Sequence, residues 1–521
     1  MAERFRVTYA TLSADNEDLH AAYETGADLA RGWLGEMLTP VVDGVARPGT
    51  EPAQLVSPND VTVKVATVTC ATEADVDDAV TAARAAYPAW SATPWRERIA
   101  LLRRAADLIS DRSSEFAALM SIEVGKNRLE ALGDVEESAD LIRYYCGIYD
   151  EHDGFDRPMA TIAPNETTRS VLKPPGVWAV ISPFNYPMAL CAGPVGAALA
   201  AGNTVVLKPS LQGTYSAWKF FQCLVDAGLP AGTVHFLSGG DDTGRALVAH
   251  DGVDGLTFTG SYETGMSIIR AFTRTYPKPV ICEMGGKNAT IVSAKADLER
   301  AVSGVARSAF GLSGQKCSAC SRVYVAGTLY DEFVARLAAR ADSLVVGDPL
   351  DRATYLGPVI DAAAVQRYRE AVAHAAAVGR VVTGGEVLSG VDGRPDGYYV
   401  APTVVADVPP DDELFSRELF VPLVAVAPID SIEEGFDLAN AVPLGLTAGF
   451  FSTDDTEVDR FLDRIEAGVV YVNRPAGATT GAWPGVQPFG GWKGSGSTGK
   501  AGGGPYYVQQ FLREQSQTVV S

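Results

Sequence analysis

The chain has 521 residues, 47% of them hydrophobic and 21% charged, with 64 acidic against 43 basic side chains and a net charge of −21. That length exceeds one ordinary core and implies two or three domains, the composition is that of a soluble globular protein, and no run of about 18 apolar residues spans a bilayer. So acidic a chain excludes a nucleic-acid backbone as partner, since that ligand needs a basic stripe, and any anionic ligand must be held by local donors.

Met1 to Ala10 carries charges but no apolar h-region, so no secretory signal is expected. Seven cysteines, an odd number without framework spacing, fit a reducing compartment, and the cytoplasm is the expected location. The first part of the chain reads as helices. Thr72 with Asp75 resembles a capping arrangement before an alanine-rich amphipathic run, Pro94 opens the next helix at a permitted position, and Glu130 to Tyr149 is a further long helix. Asp153 to Lys173 changes character: Pro158, Pro164, Asn165 and alternating threonines read as a protruding hairpin, with an unstructured connection as the alternative.

From Gly176 the pattern is strand, turn, helix, repeated. Val177 to Ser182 precedes Gly193 to Ala201 with Gly202 past its end, and Thr204 to Lys208 precedes Thr214 to Ala227. Val234 to Leu237, Gly255 to Thr259 and Pro279 to Glu283 continue the series. Such alternation predicts an α/β fold with a parallel, doubly wound sheet, whose ligands bind at the carboxyl ends of the strands, where Asn185, Lys208 and Ser261 lie. A second series runs from Asn288 to about Asn473 with no linker between, so the chemistry is expected in an interdomain cleft.

Near the start of that second series lies Phe310-Gly311-Leu312-Ser313-Gly314-Gln315-Lys316-Cys317-Ser318-Ala319-Cys320. This glycine-broken polar loop follows a helical run (Asp297 to Phe310) and feeds an apolar, β-branched segment (Val323 to Val325), which presents Cys317 between two packed elements. Lys316 beside it favours a thiolate by charge, and Gly314, Gln315 and Ser318 supply a polar setting. Cys70, Cys146, Cys191, Cys223 and Cys282 sit among apolar or helical neighbours and read as inert packing. A zinc site is not expected, since there is no second C-x-x-C and the five histidines are scattered. A thioredoxin-like pairing of Cys317 with Cys320 remains a minor alternative.

Gly494-Ser495-Gly496-Ser497-Thr498-Gly499-Lys500 fits G-x-G-x-x-G and most of a P-loop. Ala501 replaces the required Ser/Thr, no strand leads in, and Gly502-Gly503-Gly504-Pro505 forbids the helix that must cradle phosphate, so it is not read as a nucleotide site.

Four stretches combine with the cysteine. Pro183-Phe184-Asn185-Tyr186-Pro187 places an amide on a stiff turn after a strand. Thr204 to Pro209 delivers Lys208 at a strand end. Phe258-Thr259-Gly260-Ser261 followed by Gly265 is a tight strand-to-helix turn able to bring backbone amides to a pyrophosphate. Glu283-Met284-Gly285-Gly286-Lys287 puts a carboxylate at a buried strand end, where a raised pKa suits a base. Each alone has a plainer reading as a turn or a solvated residue. Together, in this order, they resemble the NAD(P)-dependent aldehyde dehydrogenase superfamily from about Ser57 to the end.

The resemblance implies a Rossmann-like cofactor domain (1–152 and 174–284), an α/β catalytic domain (285–484) and a β oligomerisation flap (153–173 and 497–521), hence a homo-oligomer. It implies Cys317 as nucleophile, Asn185 with the Cys317 backbone N–H for the oxyanion, and Glu283 as the base that hydrolyses a thioester. For the cofactor it implies Ile181, Ser182, Phe184, Lys208 on the adenosine ribose, Ser210, Gly240, Gly260, Ser261 on the pyrophosphate, Gly285, and Glu418 with Phe420 at the nicotinamide ribose; Cys320 becomes a structural neighbour. There are departures. Leu211 stands where many NAD-preferring members carry a glutamate, which leaves NAD or NADP open; Phe184 replaces a common tryptophan; and Val421 precedes Pro422 where a glycine is usual.

Within the superfamily, Gln315 to Arg322, Thr480-Gly481-Ala482 ahead of Gly485-Val486-Gln487-Pro488-Phe489-Gly490-Gly491, and Gly503-Gly504-Pro505-Tyr506-Tyr507 resemble the branch that oxidises glutamate γ-semialdehyde. For such a substrate, Gly481-Ala482 offers backbone amides and Ser318 a hydroxyl to the α-carboxylate, Phe489 walls the aliphatic chain, and Tyr186 and Lys316 complete the pocket. The alternative inside the class is another semialdehyde or an aromatic aldehyde, with Trp483 reshaping the pocket. From a different class, a thioesterase or acyl-transferase keeps Cys317 and Glu283 but dispenses with nicotinamide.

Overall fold

The computed structural model describes residues 12, 14–391, 393–475 and 483–521. Five strands, Val280–Glu283, Gly255–Thr259, Val177–Ser182, Thr204–Pro209 and Val234–Phe236, run parallel in that spatial order. Thr204–Pro209 is buried along its whole length and Val177–Ser182 nearly so, as parallel strands covered on both faces require. The expected doubly wound sheet is therefore present. Its chain order reverses at Val177–Ser182, which has Thr204–Pro209 on one side and Gly255–Thr259 on the other. A crevice for a ligand opens at such a switch point, beyond Ser182 and Thr259.

The N-terminal part is less purely helical than its sequence reads. Glu73–Ala92 starts on a complete capping box made by Thr72 and Asp75, and the long helix runs Arg128–Glu151. Pro94 is the cap residue before Trp95–Asp111 rather than its first helical residue. Short strands are added, however. The hairpin of Val41–Val42 and Val45–Ala46 extends the first sheet by antiparallel pairing to Phe236, and Met37–Leu38, Lys64–Val68 and Ala53–Val56 make a three-stranded sheet. Strands this short carry too little alternation to be legible.

The second series forms a seven-stranded sheet in the order Arg380–Thr383, Thr403–Ala406, Leu423–Ile429, Cys320–Ala326, Asn288–Val292, Thr447–Phe451, Val469–Val472, parallel except at the Arg380 edge. Its apolar face, with Val323, Val325 and Val426, packs on Phe310 and Phe333 from the helices Leu298–Phe310 and Tyr330–Asp342. Met284 to Lys287 crosses from the carboxyl end of the first sheet to the amino end of the second, where Asn288 pairs with Cys320. That crossing brings the two ends together at Cys317.

Glu166–Lys173 pairs antiparallel with Arg513–Val520 along its length and with Asp156–Pro158, so the hairpin and the C-terminal strand share one sheet. Val519 and Val520 are exposed on it, and Met159 and Ile162 on the connection between its first two strands. Among the described residues no helix is long and apolar enough to cross a membrane.

Candidate functional site

The cysteine loop is strained and braced. Leu312 and Ser313 have φ of 48° and 52°, and Gly314 follows at 69°. Each non-glycine residue held there costs about 1–2 kcal/mol, so the conformation persists only because the surroundings fix it. The Ser313 hydroxyl donates to Gly357 O at 2.6 Å, the Ile360 N–H to Gln315 Oε1 at 2.9 Å, and the Leu312 N–H to Glu130 Oε2 at 2.9 Å. A Cβ on Gly314 would stand 2.3 Å from the Val421 carbonyl oxygen, so glycine is required twice over. The loop thus rests on the chain just after Phe420, itself at φ 58°.

Cys317 is half-buried, and its backbone is pinned by a residue the sequence reading overlooks. Asn288 Nδ2 donates to Cys317 O at 2.6 Å and to Ala319 O at 2.9 Å, while its Oδ1 accepts the Thr447 N–H at 2.9 Å. A Cβ on Gly286 would lie 2.5 Å from that same Cys317 oxygen, so the two glycines after Glu283 let the base strand approach the nucleophile loop. An asparagine opening a β-strand carries no periodic signal, so the sequence alone does not single it out.

One expectation is corrected. Lys316 does not favour a thiolate at Cys317, because its buried ammonium turns away to an ion pair with Glu130. Burial, with the carboxylates Glu418 and Glu283 adding to it, pushes the Cys317 thiol up to about 12, against weaker help from the N–H groups of Ser318 and Cys317. Cys320 points elsewhere, donating to Thr290 Oγ1 at 3.2 Å, and all seven cysteines are free.

The Phe184-Asn185-Tyr186 turn closes the cleft on another side. Asn185 is buried and spends one amide N–H on Gln315 O at 3.0 Å, two residues from Cys317 in sequence, leaving a second N–H on the same nitrogen. The turn is held from the Arg128–Glu151 helix. Asp134 accepts the Ala189 N–H at 2.8 Å and pairs at 2.8 Å with Lys126, both side chains fully buried, and the Lys126 ammonium stands 3.3 Å from the Tyr186 ring centre. The Tyr186 phenol is pushed well above its usual range by burial, with Glu130, Glu137, Asp134 and Cys317 adding to it. Phe184 meets Phe420 edge-on at 6.0 Å.

Glu283 ends the first sheet's edge strand, and its Oε2 accepts the Gly491 N–H at 3.1 Å. Burial raises its carboxyl to about 8, opposed by that single N–H. Glu418 lies against Gly285, where a Cβ would stand 1.9 Å from Oε2, and its Oε1 accepts the Gly286 N–H at 3.0 Å. Burial lifts it to about 7.

The residues expected to hold a dinucleotide gather at the switch-point crevice. Ile181 pairs with Lys208 and Phe258, the Ser210 N–H donates to Ser182 O at 2.8 Å, and the Gly260 N–H donates to Glu283 O at 3.1 Å. Ser261 caps the helix Tyr262–Phe272, accepting the Thr264 N–H at 3.3 Å, so that helix presents its amino end to the crevice. Gly240 precedes the helix Asp241–Ala249. Lys208 is buried and gives one of its three N–H bonds to Pro209 O at 3.1 Å, burial lowering its pKa to about 8. Donors for a pyrophosphate and for ribose hydroxyls are thus in place, and the residues fit such a group.

Of the expected substrate residues, Gly481 and Ala482 lie outside the described residues. Phe489 pairs with Gly502 in both directions at 2.8 Å, two residues before Gly491, which brings it to the Glu283 side of the cleft. Ser318 is buried beside Cys317. The glycine-rich tail does have a strand leading in, Trp492–Lys493, contrary to the sequence reading, but it pairs antiparallel with Leu444–Gly445 and leads into loop rather than helix. Among the described residues no group of three or more His, Cys, Asp or Glu is placed to hold a metal.

Residues 46–517 match the model of the aldehyde dehydrogenase family. The chain is 37% identical to a 1-pyrroline-5-carboxylate dehydrogenase of Geobacillus kaustophilus over 518 residues, covering 98% of this chain and 97% of that one. It superposes on a Thermus 1-pyrroline-5-carboxylate dehydrogenase solved with bound NAD, with a TM-score of 0.93, 32% identity and full coverage of both. Proline utilization A from Bdellovibrio bacteriovorus matches with a TM-score of 0.91 and 36% identity, over 96% of this chain and 52% of that longer one.

Proposed function

The chain belongs to the aldehyde dehydrogenase family, and from that premise we propose that it oxidises L-glutamate γ-semialdehyde, derived from 1-pyrroline-5-carboxylate, to L-glutamate with NAD, in proline breakdown. The observation that carries the reading is the convergence of Cys317, Asn185 and Glu283 on one cleft between the two sheets, through Asn288, Gln315 and Gly286.

The Cys317 sulfur releases its proton to solvent water and bonds to the aldehyde carbon, whose oxygen takes the electron pair of the C=O double bond and the charge. The second Asn185 N–H and the Cys317 N–H hold that oxyanion, each donor being worth about 10²–10³ in rate. When bound, the nicotinamide supplies the acceptor for the hydride leaving that carbon. A thioester on Cys317 remains. Glu283 then takes a proton from water as its oxygen adds to the thioester carbon; the C–S bond breaks and the carboxylate product leaves with Cys317 restored. The buried ion pair of Lys316 with Glu130 offers both signs of charge next to Cys317 in the chain, which suits the ammonium and carboxylate of an amino-acid end, with Ser318, Tyr186 and Phe489 as further substrate residues.

The test is NADH formation by purified protein with glutamate γ-semialdehyde, succinate semialdehyde and benzaldehyde, compared as kcat/KM. A clear preference for the first is expected, and turnover only of the others overturns the substrate. A thioesterase would show no NAD(H) binding.

Leu211 leaves no carboxylate at the usual ribose position, but Asp241, in the first turn of the helix Asp241–Ala249, acts electrostatically on Lys208. An added 2′-phosphate meets that negative field, so kcat/KM with NAD is expected to exceed that with NADP by about tenfold or more, a difference of ~1.4 kcal/mol. Equal use of both would reject the role of Asp241.

The sheet of Asp156–Pro158, Glu166–Lys173 and Arg513–Val520, with exposed Met159, Ile162, Val519 and Val520, is assigned as the surface that joins copies of the chain, and the first and second sheets as the cofactor and catalytic domains. Seven free thiols suit the reducing cytoplasm.

A further inference from the structure

We propose that the glycine- and serine-rich segment around Ser495 is a positioning device for Glu283, fixing the backbone donor that orients its carboxylate and sets its readiness to act as a base. The inference rests on the role of Glu283 given above.

Val280–Glu283 is the edge strand of the first sheet, and the tail completes that edge. Glu283 bridges antiparallel to Gly496, the Met284 N–H donates to Ser495 O at 2.7 Å, and the Ser497 N–H donates to Cys282 O at 3.0 Å. The Ser497 hydroxyl accepts the Cys282 N–H at 2.8 Å and donates to Val280 O at 3.0 Å. A segment that resembles a phosphate loop in sequence has thus committed its polar groups to one strand.

Ser495 is the hub. It has no exposed surface; its hydroxyl donates to Gly285 O at 2.7 Å, just past the base, and accepts the Gly445 N–H at 3.0 Å, from the strand Leu444–Gly445. Gly491 packs directly beneath it, since a Cβ there would lie 2.4 Å from the Ser495 carbonyl carbon. Gly491 also gives Glu283 its N–H bond of 3.1 Å. Ser495 therefore ties three things: its hydroxyl joins the chain after the base to the short strand Leu444–Gly445, and its carbonyl and Cβ pack on Gly491, the donor on the carboxylate. A buried carboxylate depends strongly on such a donor, because the bond favours the charged form that accepts a proton from water. Loosening Ser495 lets the Gly491 N–H drift, the carboxylate holds its proton more tightly, and hydrolysis of the thioester slows while formation of the thioester does not.

The experiment is rapid mixing of enzyme, NAD and glutamate γ-semialdehyde from pH 6 to 10, recording the NADH burst and the decay of the acyl-enzyme for wild type, Ser495→Ala and Ser495→Thr. For Ser495→Ala the expected result is a full burst, acyl-enzyme decay slowed about tenfold at pH 7, and the acid limb of the decay displaced upward by about one pH unit, the effect of losing one hydrogen bond to a charged group. Ser495→Thr, which keeps the hydroxyl, restores the limb. Should Ser495→Ala fail to fold, Ser495→Cys, close in size and a far weaker hydrogen-bond donor, reads the same quantities. An acid limb that stays at the wild-type pH in the variant, whether or not all rates fall together, overturns the inference and leaves Ser495 a structural residue. Wild-type enzyme with no NADH burst on any aldehyde overturns the functional reading itself and the inference with it.

Discussion

Replacing Cys317 with alanine is expected to lower kcat for aldehyde oxidation by about 10⁴-fold or more, because without the sulfur the aldehyde carbon stays flat and has no tetrahedral adduct from which hydride can leave. The folding cost is small. The strain of the loop lies at Leu312 and Ser313, and what fixes it, the Ser313, Gln315 and Glu130 hydrogen bonds, does not involve the thiol. The cofactor crevice is built from Ile181, Lys208, Gly260 and Ser261 on other elements, so NAD affinity by titration calorimetry is expected to match the wild type. Turnover retained at more than about one part in a hundred would remove Cys317 as nucleophile, and lost NAD binding would show that the variant fails for another reason.

How far the sequence speaks depends on whether a residue acts through its own element or through a neighbour's. Glu283, Lys208 and Ser261 sit at strand ends or helix starts whose apolar runs and caps are local, so their place at the crevice is readable from alternation alone. The side to which Lys316 turns is not readable that way. Adjacent to Cys317 in sequence, it is drawn to Glu130, which lies far away in the chain on the Arg128–Glu151 helix, and only tertiary packing brings that carboxylate near. Asn288 and Ser495 escaped for a similar reason. Their worth lies in tying segments distant in the chain, as Ser495 ties Gly285 to Gly445, and a polar residue in a glycine-rich stretch looks like any turn.

The departure at Val421 is instructive. A valine in place of a usual glycine departs from the family's pattern, yet the left-handed conformation falls on Phe420, at φ 58°, and Val421 is a buried wall against which Gly314 packs. The strain near Glu418 is carried by the aromatic residue, whose ring is supported edge-on by Phe184.

Glu283→Gln separates the two halves of the reaction. Glutamine keeps the shape and an acceptor for the Gly491 N–H but takes no proton, so one equivalent of NADH per site is expected in a burst, after which the thioester persists and steady-state kcat falls about 10²–10⁴-fold. An unchanged steady-state rate would reject Glu283 as base. The pH profile gives a second handle. Burial holds the carboxyl near 8, so in the wild type hydrolysis loses about tenfold per pH unit below that value and levels off above it, and the limb disappears in the variant. Stability moves the other way. A carboxyl whose folded pKa lies above its unfolded value of 4.5 binds its proton more tightly in the native state, so its contribution is complete below that pH and is lost as pH rises through about 8. At pH 9 the glutamine variant, with no charge to bury, is therefore expected to melt at or above the wild-type temperature, and a burst without turnover in a protein at least as stable assigns the loss to the missing base.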